Sequence, residues 1–249
     1  MQSLPPVPKP DEPAVAGMRR IAFADVPPEV WIANDYLRRS GTSGRLKDEV
    51  EQGGHSFQIN YVSSAIDFNT AFFARNYLKA LLYLDAIPNL GAYDSDPFLD
   101  LGGGSGTFSL AAHHFFPRSR FTIVDRSENQ MELAQTLFGL CGLERLIDCE
   151  TADFFETALP AAPTRLVSYS LCENILQFSD AHERWPMLFG AQAIVIDYAE
   201  VILAVVDQVV QAGGSASNVI LNEQRALCPE LTQLLGQPQI KFSGACFAF

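Results

Sequence analysis

The sequence predicts an α/β protein with a mostly parallel sheet, preceded by a helical region. After Pro97, short apolar runs alternate with helical patterns, and this alternation requires crossover connections between parallel strands. A glycine-rich turn joins the first of these strands to a helix, whereas apolar residues before Asp94 recur at helical spacing. We therefore expect a disordered Pro-rich leader over 1–17, a helical cap over 18–94 and a sheet domain over 95–249.

The elements of both regions follow from periodicity and breaker residues. Helices are predicted at Pro28–Arg39, Arg45–Gln52, Asp67–Leu84, Thr107–Phe116, Asn129–Leu140, Leu188–Gln211 and Pro229–Leu235. Strands are predicted at Phe98–Leu101, Phe121–Val124, Leu146–Cys149, Leu166–Leu171, Asn218–Leu221 and Ile240–Phe249. The apolar stretch Ala191–Val210 carries three acidic residues, so it is interpreted as a buried helix and not as a membrane span.

Composition narrows the function classes. The 249 residues are 48% hydrophobic and carry a formal net charge of −12, and an acidic surface repels phosphate backbones. We therefore expect a small-molecule substrate, with neither nucleic acid nor a membrane as partner. The five cysteines and four histidines lack ligand spacing, which predicts no metal site and reduced thiols in a cytoplasmic protein. The oligomeric state stays open, with a homodimer as one option.

The segment Phe98–Thr107 is the most informative part of the sequence, because an apolar strand runs directly into glycines and then into a helix. Glycine adopts the positive φ angles that a tight turn needs, and it lets a ligand lie against the backbone. Two carboxylates accompany the turn: Asp100 in its strand, and Asp125 at the end of the next strand. Carboxyl ends of neighbouring parallel strands lie side by side, so Asp125 is predicted to accept hydrogen bonds from a ribose diol. Asp100 is expected to meet an ammonium group of the same ligand.

The run Asp100-Leu-Gly102-Gly-Gly104-Ser-Gly106 resembles the DxGxGxG signature of class I S-adenosylmethionine (SAM)-dependent methyltransferases. The likeness extends over about Pro97–Glu223. It implies SAM as cofactor and a Rossmann-like, mostly parallel seven-stranded sheet with helices on both faces. Asp125 stands where that family keeps its ribose-binding acid. The resemblance therefore implies a cofactor site built from Asp100, Gly102, Gly104, Gly106, Asp125, Arg126, Asp153, Phe154 and Ser168.

Two further segments carry the resemblance. Thr151–Phe155 is similar to the "GDFF" segment, in which the acid, here Asp153, holds the adenine amino group and a phenylalanine covers the ring. Phe154 and Phe155 alternate, so we expect only one of them to face the cofactor. Asn174–Asp180 is similar to the fourth motif of small-molecule O-methyltransferases.

The catalytic base stays open in the sequence. Gln177 stands near the place of the histidine that many O-methyltransferases use there, and an amide is not a base at neutral pH. The candidates are Tyr169, Glu173, His55 and Tyr61. Of these, His55 and Tyr61 lie between two predicted helices, where we expect a lid over the substrate pocket.

Three enzymatic functions remain after these observations, and the intact glycines and both acids argue against a non-catalytic binding or scaffold protein. A SAM-dependent methyltransferase acting on a small molecule, as in specialised metabolism, is the leading hypothesis. A second enzyme class would use SAM without methylation, by cyclisation to azetidine-2-carboxylate and methylthioadenosine or by aminocarboxypropyl transfer. An NAD-dependent oxidoreductase also suits a glycine turn and an acid, but the glycine spacing favours SAM, and the sequence lacks a Tyr-x-x-x-Lys pair.

Overall fold

The computed structural model describes residues 20–22, 25–41, 65–171 and 184–249. Its strands are β1 (Arg20–Ile21), β2 (Phe98–Leu101), β3 (Phe121–Asp125), β4 (Ile147–Thr151), β5 (Thr164–Ser168), β6 (Gln192–Ile196), β7 (Ser215–Leu227) and β8 (Gln239–Ala248). Its helices are α1 (Pro28–Ser40), α2 (Ala65–Ala86), α3 (Thr107–Phe115), α4 (Glu128–Leu140), α5 (Arg184–Phe189), α6 (Ala199–Gln211) and α7 (Pro229–Leu235).

The strands form one sheet in the order β1-β7-β8-β6-β5-β2-β3-β4. Strand β8 is antiparallel to β6 and β7, and every other neighbouring pair is parallel. The seven strands β2–β8 confirm the mostly parallel seven-stranded sheet, and the two-residue β1 extends its edge. Because the chain runs from β2 outward through β3 and β4 and then returns to β5, the strand order reverses beside β2. Ligands of open α/β sheets bind at such a point, outside the carboxyl ends of the strands.

Helices cover both faces of the sheet, as the sequence predicted. Alternate residues of the central strands point to opposite faces. Phe98 and Ile194 belong to a core shared with α1–α4, whereas Leu99 and Val195 belong to a second core with α5 and α6. This burial on both sides explains why the central strands are nearly continuous apolar runs.

The helix predicted over Leu188–Gln211 is wrong in its first half. A short helix ends at Phe189, strand β6 follows, and α6 begins only at Ala199. Gly190, with φ +59°, makes the reversal between helix and strand. Strand β6 is buried on both faces, so its apolar run lacks the period-two pattern by which a strand is distinguished from a buried helix.

Among the described residues, no helix is long and apolar enough to cross a bilayer.

The N-terminal helices pack directly on the sheet layer. Residues of α2, including Phe73, Tyr77 and Leu84, are buried in the same core as residues of β2 and β5. The hydroxyl of Thr70 donates a hydrogen bond of 3.0 Å to the carbonyl of Leu37, which fixes the end of α1 against α2. Helix α2 therefore reaches across the sheet and brings its first turns to the carboxyl ends of the strands.

Candidate functional site

A cavity of about 490 Å³ lies at the carboxyl ends of the central strands. This volume is within the range of roughly 300–1,000 Å³ that small-molecule sites occupy. The structure brings eight of the residues predicted from the sequence to its wall: Gly102, Gly104, Asp125, Arg126, Asp153, Phe154, Ser168 and Tyr169. These residues come from the ends of four different strands, so the cavity exists only in the folded sheet.

The glycine turn after β2 is held in a backbone conformation that other residues rarely adopt. Gly102, Gly104 and Gly106 all have positive φ angles, of 63°, 52° and 74°. A Cβ atom at Gly102 would lie 2.5 Å from the Cβ of Ser170 and 3.1 Å from the ring of Phe154. The missing side chain thus keeps the cavity open between the ends of β2 and β5.

Asp125 ends β3 at the edge of the cavity. Its Oδ2 accepts a hydrogen bond of 3.0 Å from the Gly104 N–H, and its Oδ1 accepts one of 2.9 Å from the Ser127 N–H. The side chain is buried, with 5% of the residue exposed, and this desolvation raises the pKa of the Asp125 carboxyl above its usual value, although the backbone N–H groups oppose the shift. Each carboxylate oxygen has a second lone pair, so Asp125 can still accept hydrogen bonds from hydroxyl groups in the cavity.

Asp100 and Gly106 are not on the cavity wall. Asp100 is fully buried, and its Oδ2 accepts hydrogen bonds from the Ser109 N–H at 3.2 Å and the Ser109 hydroxyl at 2.6 Å. A Cβ at Gly103 would lie 2.7 Å from the Asp100 Cγ, so this carboxyl packs directly against the glycine turn. The structure does not support the expectation that Asp100 meets an ammonium group of the ligand, because the glycine turn covers the Asp100 carboxyl. Gly106 is the residue before α3 and packs against Ile123.

Burial raises the pKa of the Asp100 carboxyl from 3.8 to about 7, which makes the stability of the protein depend on pH. Because the folded pKa lies above the unfolded one, the stabilising contribution of Asp100 is complete below about pH 4 and is lost as the pH rises through about 7. Asp100→Asn keeps an oxygen for Ser109 but cannot ionise. We expect the unfolding free energy of the wild type, minus that of Asp100→Asn, to fall by roughly 4 kcal/mol between about pH 4 and pH 8. Urea unfolding across this range measures the difference, and a constant difference would contradict the prediction.

Asp153, Phe154 and Phe155 form the wall after β4. The Asp153 Oδ1 accepts a hydrogen bond of 2.9 Å from the Phe155 N–H, which starts a tight turn. The two phenylalanine rings lie 4.1 Å apart between centroids with an interplanar angle of 42°, and both line the cavity. Residues 154–156 form a turn and not a strand with alternating sides, so both residues reach the cavity wall, and that only one ring faces the cofactor stays a prediction.

The end of β5 supplies a third part of the wall. Ser168 and Tyr169 both line the cavity, together with Ser170. Tyr169 has a φ of +52°, and its N–H donates a hydrogen bond of 3.0 Å to the carbonyl of Ile196. The ring centroids of Tyr169 and Tyr198 lie 5.6 Å apart in an edge-to-face arrangement. This backbone conformation, which is uncommon for a bulky residue, fixes the ring of Tyr169 at the carboxyl end of β5.

Sequence reasoning missed a polar network that joins α2 to the glycine turn. The Asn69 amide donates a hydrogen bond of 3.0 Å to Gln130 Oε1 and accepts one of 2.6 Å from the Ser105 hydroxyl. All three residues are buried and line the cavity. A polar residue in the mostly apolar helix α2 was the available signal, but its partners, 36 and 61 residues away, cannot be read from the sequence.

Three of the predicted catalytic residues lie outside the described residues: His55, Tyr61 and Glu173. The same holds for Gln177 and for the short helix predicted at Arg45–Gln52. Within the ranges that the structure describes, no cluster of three or more potential metal ligands exists. Tyr169 is the one predicted catalytic residue whose place is described.

Comparison with solved structures identifies the fold. The chain is similar to the O-methyltransferase NcsB1 from neocarzinostatin biosynthesis, solved with SAM and 2-hydroxy-5-methyl naphthoic acid, with a TM-score of 0.56 and 16% identity over 88% of this chain and 67% of that one. Mitomycin 7-O-methyltransferase MmcR matches with a TM-score of 0.51 and 16% identity, over 87% of this chain and 67% of that one. Magnesium protoporphyrin IX methyltransferase from Synechocystis PCC 6803 matches with a TM-score of 0.50 and 13% identity, over 90% of this chain and 98% of that one.

These structures share a Rossmann-like sheet with this chain. The chain therefore has the fold of the class I SAM-dependent methyltransferases, as the glycine-turn resemblance predicted. No protein-family model matches the sequence, and no curated protein does either.

Proposed function

We propose that the protein is a SAM-dependent methyltransferase that acts on a small molecule. The observation that carries this proposal is that the glycine turn after β2, with its positive φ angles, and the carboxylate of Asp125 at the end of β3 open onto one cavity. The fold of the chain, shared with enzymes that bind SAM, supports the same conclusion. Under this proposal the cavity holds both the cofactor and the acceptor.

The residues of the cavity wall suit an adenosyl ligand. Asp125 would accept hydrogen bonds from the ribose hydroxyls, with Arg126 beside it, and the Asp153 carboxylate would accept one from the adenine amino group. The rings of Phe154 and Phe155 give the base an aromatic surface. Missing side chains in the glycine turn leave room for the ligand next to the backbone.

The methionyl part of the ligand would then extend away from β4, across β2, to the end of β5. This direction follows from the strand order, in which β4, β3, β2 and β5 are successive neighbours. Ser168, Tyr169 and Ser170 line this part of the cavity. Phe68 and Asn76 of α2 line the same cavity, and we assign them to the acceptor subsite.

When bound, SAM supplies an activated methyl group on a sulfonium leaving group. The protein must then hold the acceptor atom in line with that methyl group, keep water out and take up the acceptor's proton where it is weakly acidic. Of the described residues, Tyr169 is our candidate for contact with the acceptor, because its phenol can donate and accept a hydrogen bond. We propose the acceptor to be a small molecule because the cavity has the volume of a small-molecule site and the chain is strongly acidic.

Isothermal titration with SAM and with S-adenosylhomocysteine tests the proposal. We expect both ligands to bind the full-length protein in the micromolar range, and NAD not to bind. Failure of SAM to bind at millimolar concentration would overturn it. Chromatography of the products then separates the two SAM chemistries: S-adenosylhomocysteine formed only with an acceptor indicates methyl transfer, whereas methylthioadenosine formed from SAM alone indicates cyclisation.

A further inference from the structure

Helix α2 places a lysine next to the cavity wall. Asn69 and Asn76 of this helix line the cavity, and Lys79 follows Asn76 by three residues, so it lies on the same side one turn further along. The ammonium of Lys79 lies 4.8 Å from the ring centroid of Tyr169. Lys79 is partly buried and is not among the residues that line the cavity. Its charge therefore acts on the cavity from just beside Tyr169.

Burial and three nearby groups set the charge of Lys79. Burial is the largest effect, and it lowers the pKa of Lys79 from 10.5 to about 8. Arg75, on the same helix, disfavours a second positive charge, whereas Asp197, just after β6, favours it. The ring of Tyr169 attracts a cation through its π-system. The lysine is thus mostly charged at neutral pH but loses its proton under mildly alkaline conditions.

We propose that Lys79 sets the preference of the site between SAM and its reaction product. This inference rests on the proposed function. A sulfonium bound near the end of β5 carries a positive charge, and the ammonium beside Tyr169 repels it across a partly desolvated wall. The thioether of S-adenosylhomocysteine is neutral and is not repelled. The two ligands share every other group, so Lys79 acts on the ratio of their affinities.

The repulsion between Lys79 and the sulfonium would favour methyl transfer, because it weakens as the reaction proceeds. Positive charge leaves the sulfur as the methyl group departs, so the interaction with Lys79 is less unfavourable in the transition state than in the ground state. An interaction that differs between these states changes the rate, whereas one that is equal in both does not. Lys79 is therefore a positioning residue that acts through its charge, whereas Tyr169 lines the cavity itself.

Lys79→Met tests the inference without an acceptor. Titration calorimetry with SAM and with S-adenosylhomocysteine gives the two dissociation constants for each protein at about pH 7. We expect the SAM-to-S-adenosylhomocysteine ratio of dissociation constants to be about five- to tenfold lower in Lys79→Met than in the wild type. Lys79→Arg keeps the charge and should keep the wild-type ratio. Lys79→Gln, a polar and neutral replacement, should behave as Lys79→Met does and serves if the methionine variant does not fold.

Two controls separate this effect from others. Lys241→Met removes the same charge from the exposed side of β8 and should leave the ratio unchanged. Raising the pH should lower the wild-type ratio with a midpoint near 8, the pKa of Lys79, and this transition should be absent from Lys79→Met. An unchanged ratio in both neutral variants, with both ligands still bound, would overturn the role of Lys79 alone. If neither ligand binds the wild type, the proposed function itself fails.

Discussion

Gly102→Ala is expected to weaken SAM binding by about 100-fold or more. The added methyl group would lie 2.5 Å from the Ser170 Cβ and 3.1 Å from the Phe154 ring, so the ends of β2 and β5 must move apart. The φ of +63° adds strain, because a residue with a Cβ rarely adopts this conformation. We also expect the unfolding free energy to fall by about 2–4 kcal/mol, as measured by urea unfolding beside the SAM titration.

Gly142→Ala is the matched control for this substitution. Gly142 has a φ of +72°, so an alanine there carries similar backbone strain, but a Cβ would meet nothing within 4 Å. It follows α4 at a distance from the cavity wall. The control should lose about 1 kcal/mol of stability and keep full SAM affinity. If Gly102→Ala binds SAM as well as Gly142→Ala does, the glycine turn is not the ligand cradle.

The parts of the site that the sequence predicted are those encoded within a short segment. The glycine turn and Asp125 were predictable because an apolar strand, a breaker and a helix follow one another locally, and because parallel strands place their ends side by side. The glycine turn and Asp125 thus need only neighbouring residues and the topology of a parallel sheet. Asp153 was placed next to the cavity by the resemblance of its segment to the "GDFF" segment, which is also a short continuous run.

The parts that the sequence did not predict depend on contacts between distant segments or on burial. Nothing near Asn69 reveals that it bonds Ser105 and Gln130, and nothing near Lys79 reveals that its ammonium reaches Tyr169. Strand β6 was missed for a related reason, since burial on both faces removes the alternation that marks a strand. Asp100 was assigned to the ligand because the motif gives its place in the chain but not the direction of its side chain. The structure directs that side chain towards α3.

Asp125→Asn is expected to weaken SAM, S-adenosylhomocysteine and methylthioadenosine by a similar factor of about 30–100. All three ligands carry the ribose whose hydroxyls we assign to this carboxylate, and hydrogen bonds to a charged group are the strong ones. The variant keeps one oxygen but turns the other acceptor into a donor. Because each oxygen accepts a backbone N–H, that donor faces either the Gly104 or the Ser127 N–H, and it cannot accept from a ribose hydroxyl. Titration calorimetry with the three ligands measures the effect.

Asp148→Asn provides the control, since it removes the same charge from an exposed position in β4 and should bind all three ligands as the wild type does. A uniform loss assigns Asp125 to the shared ribose, whereas a loss confined to SAM would mean that the carboxylate acts on the sulfonium charge, as Lys79 is proposed to do with opposite sign. Unchanged affinity for methylthioadenosine in Asp125→Asn would contradict the ribose assignment, and with it the orientation of the ligand along the sheet edge.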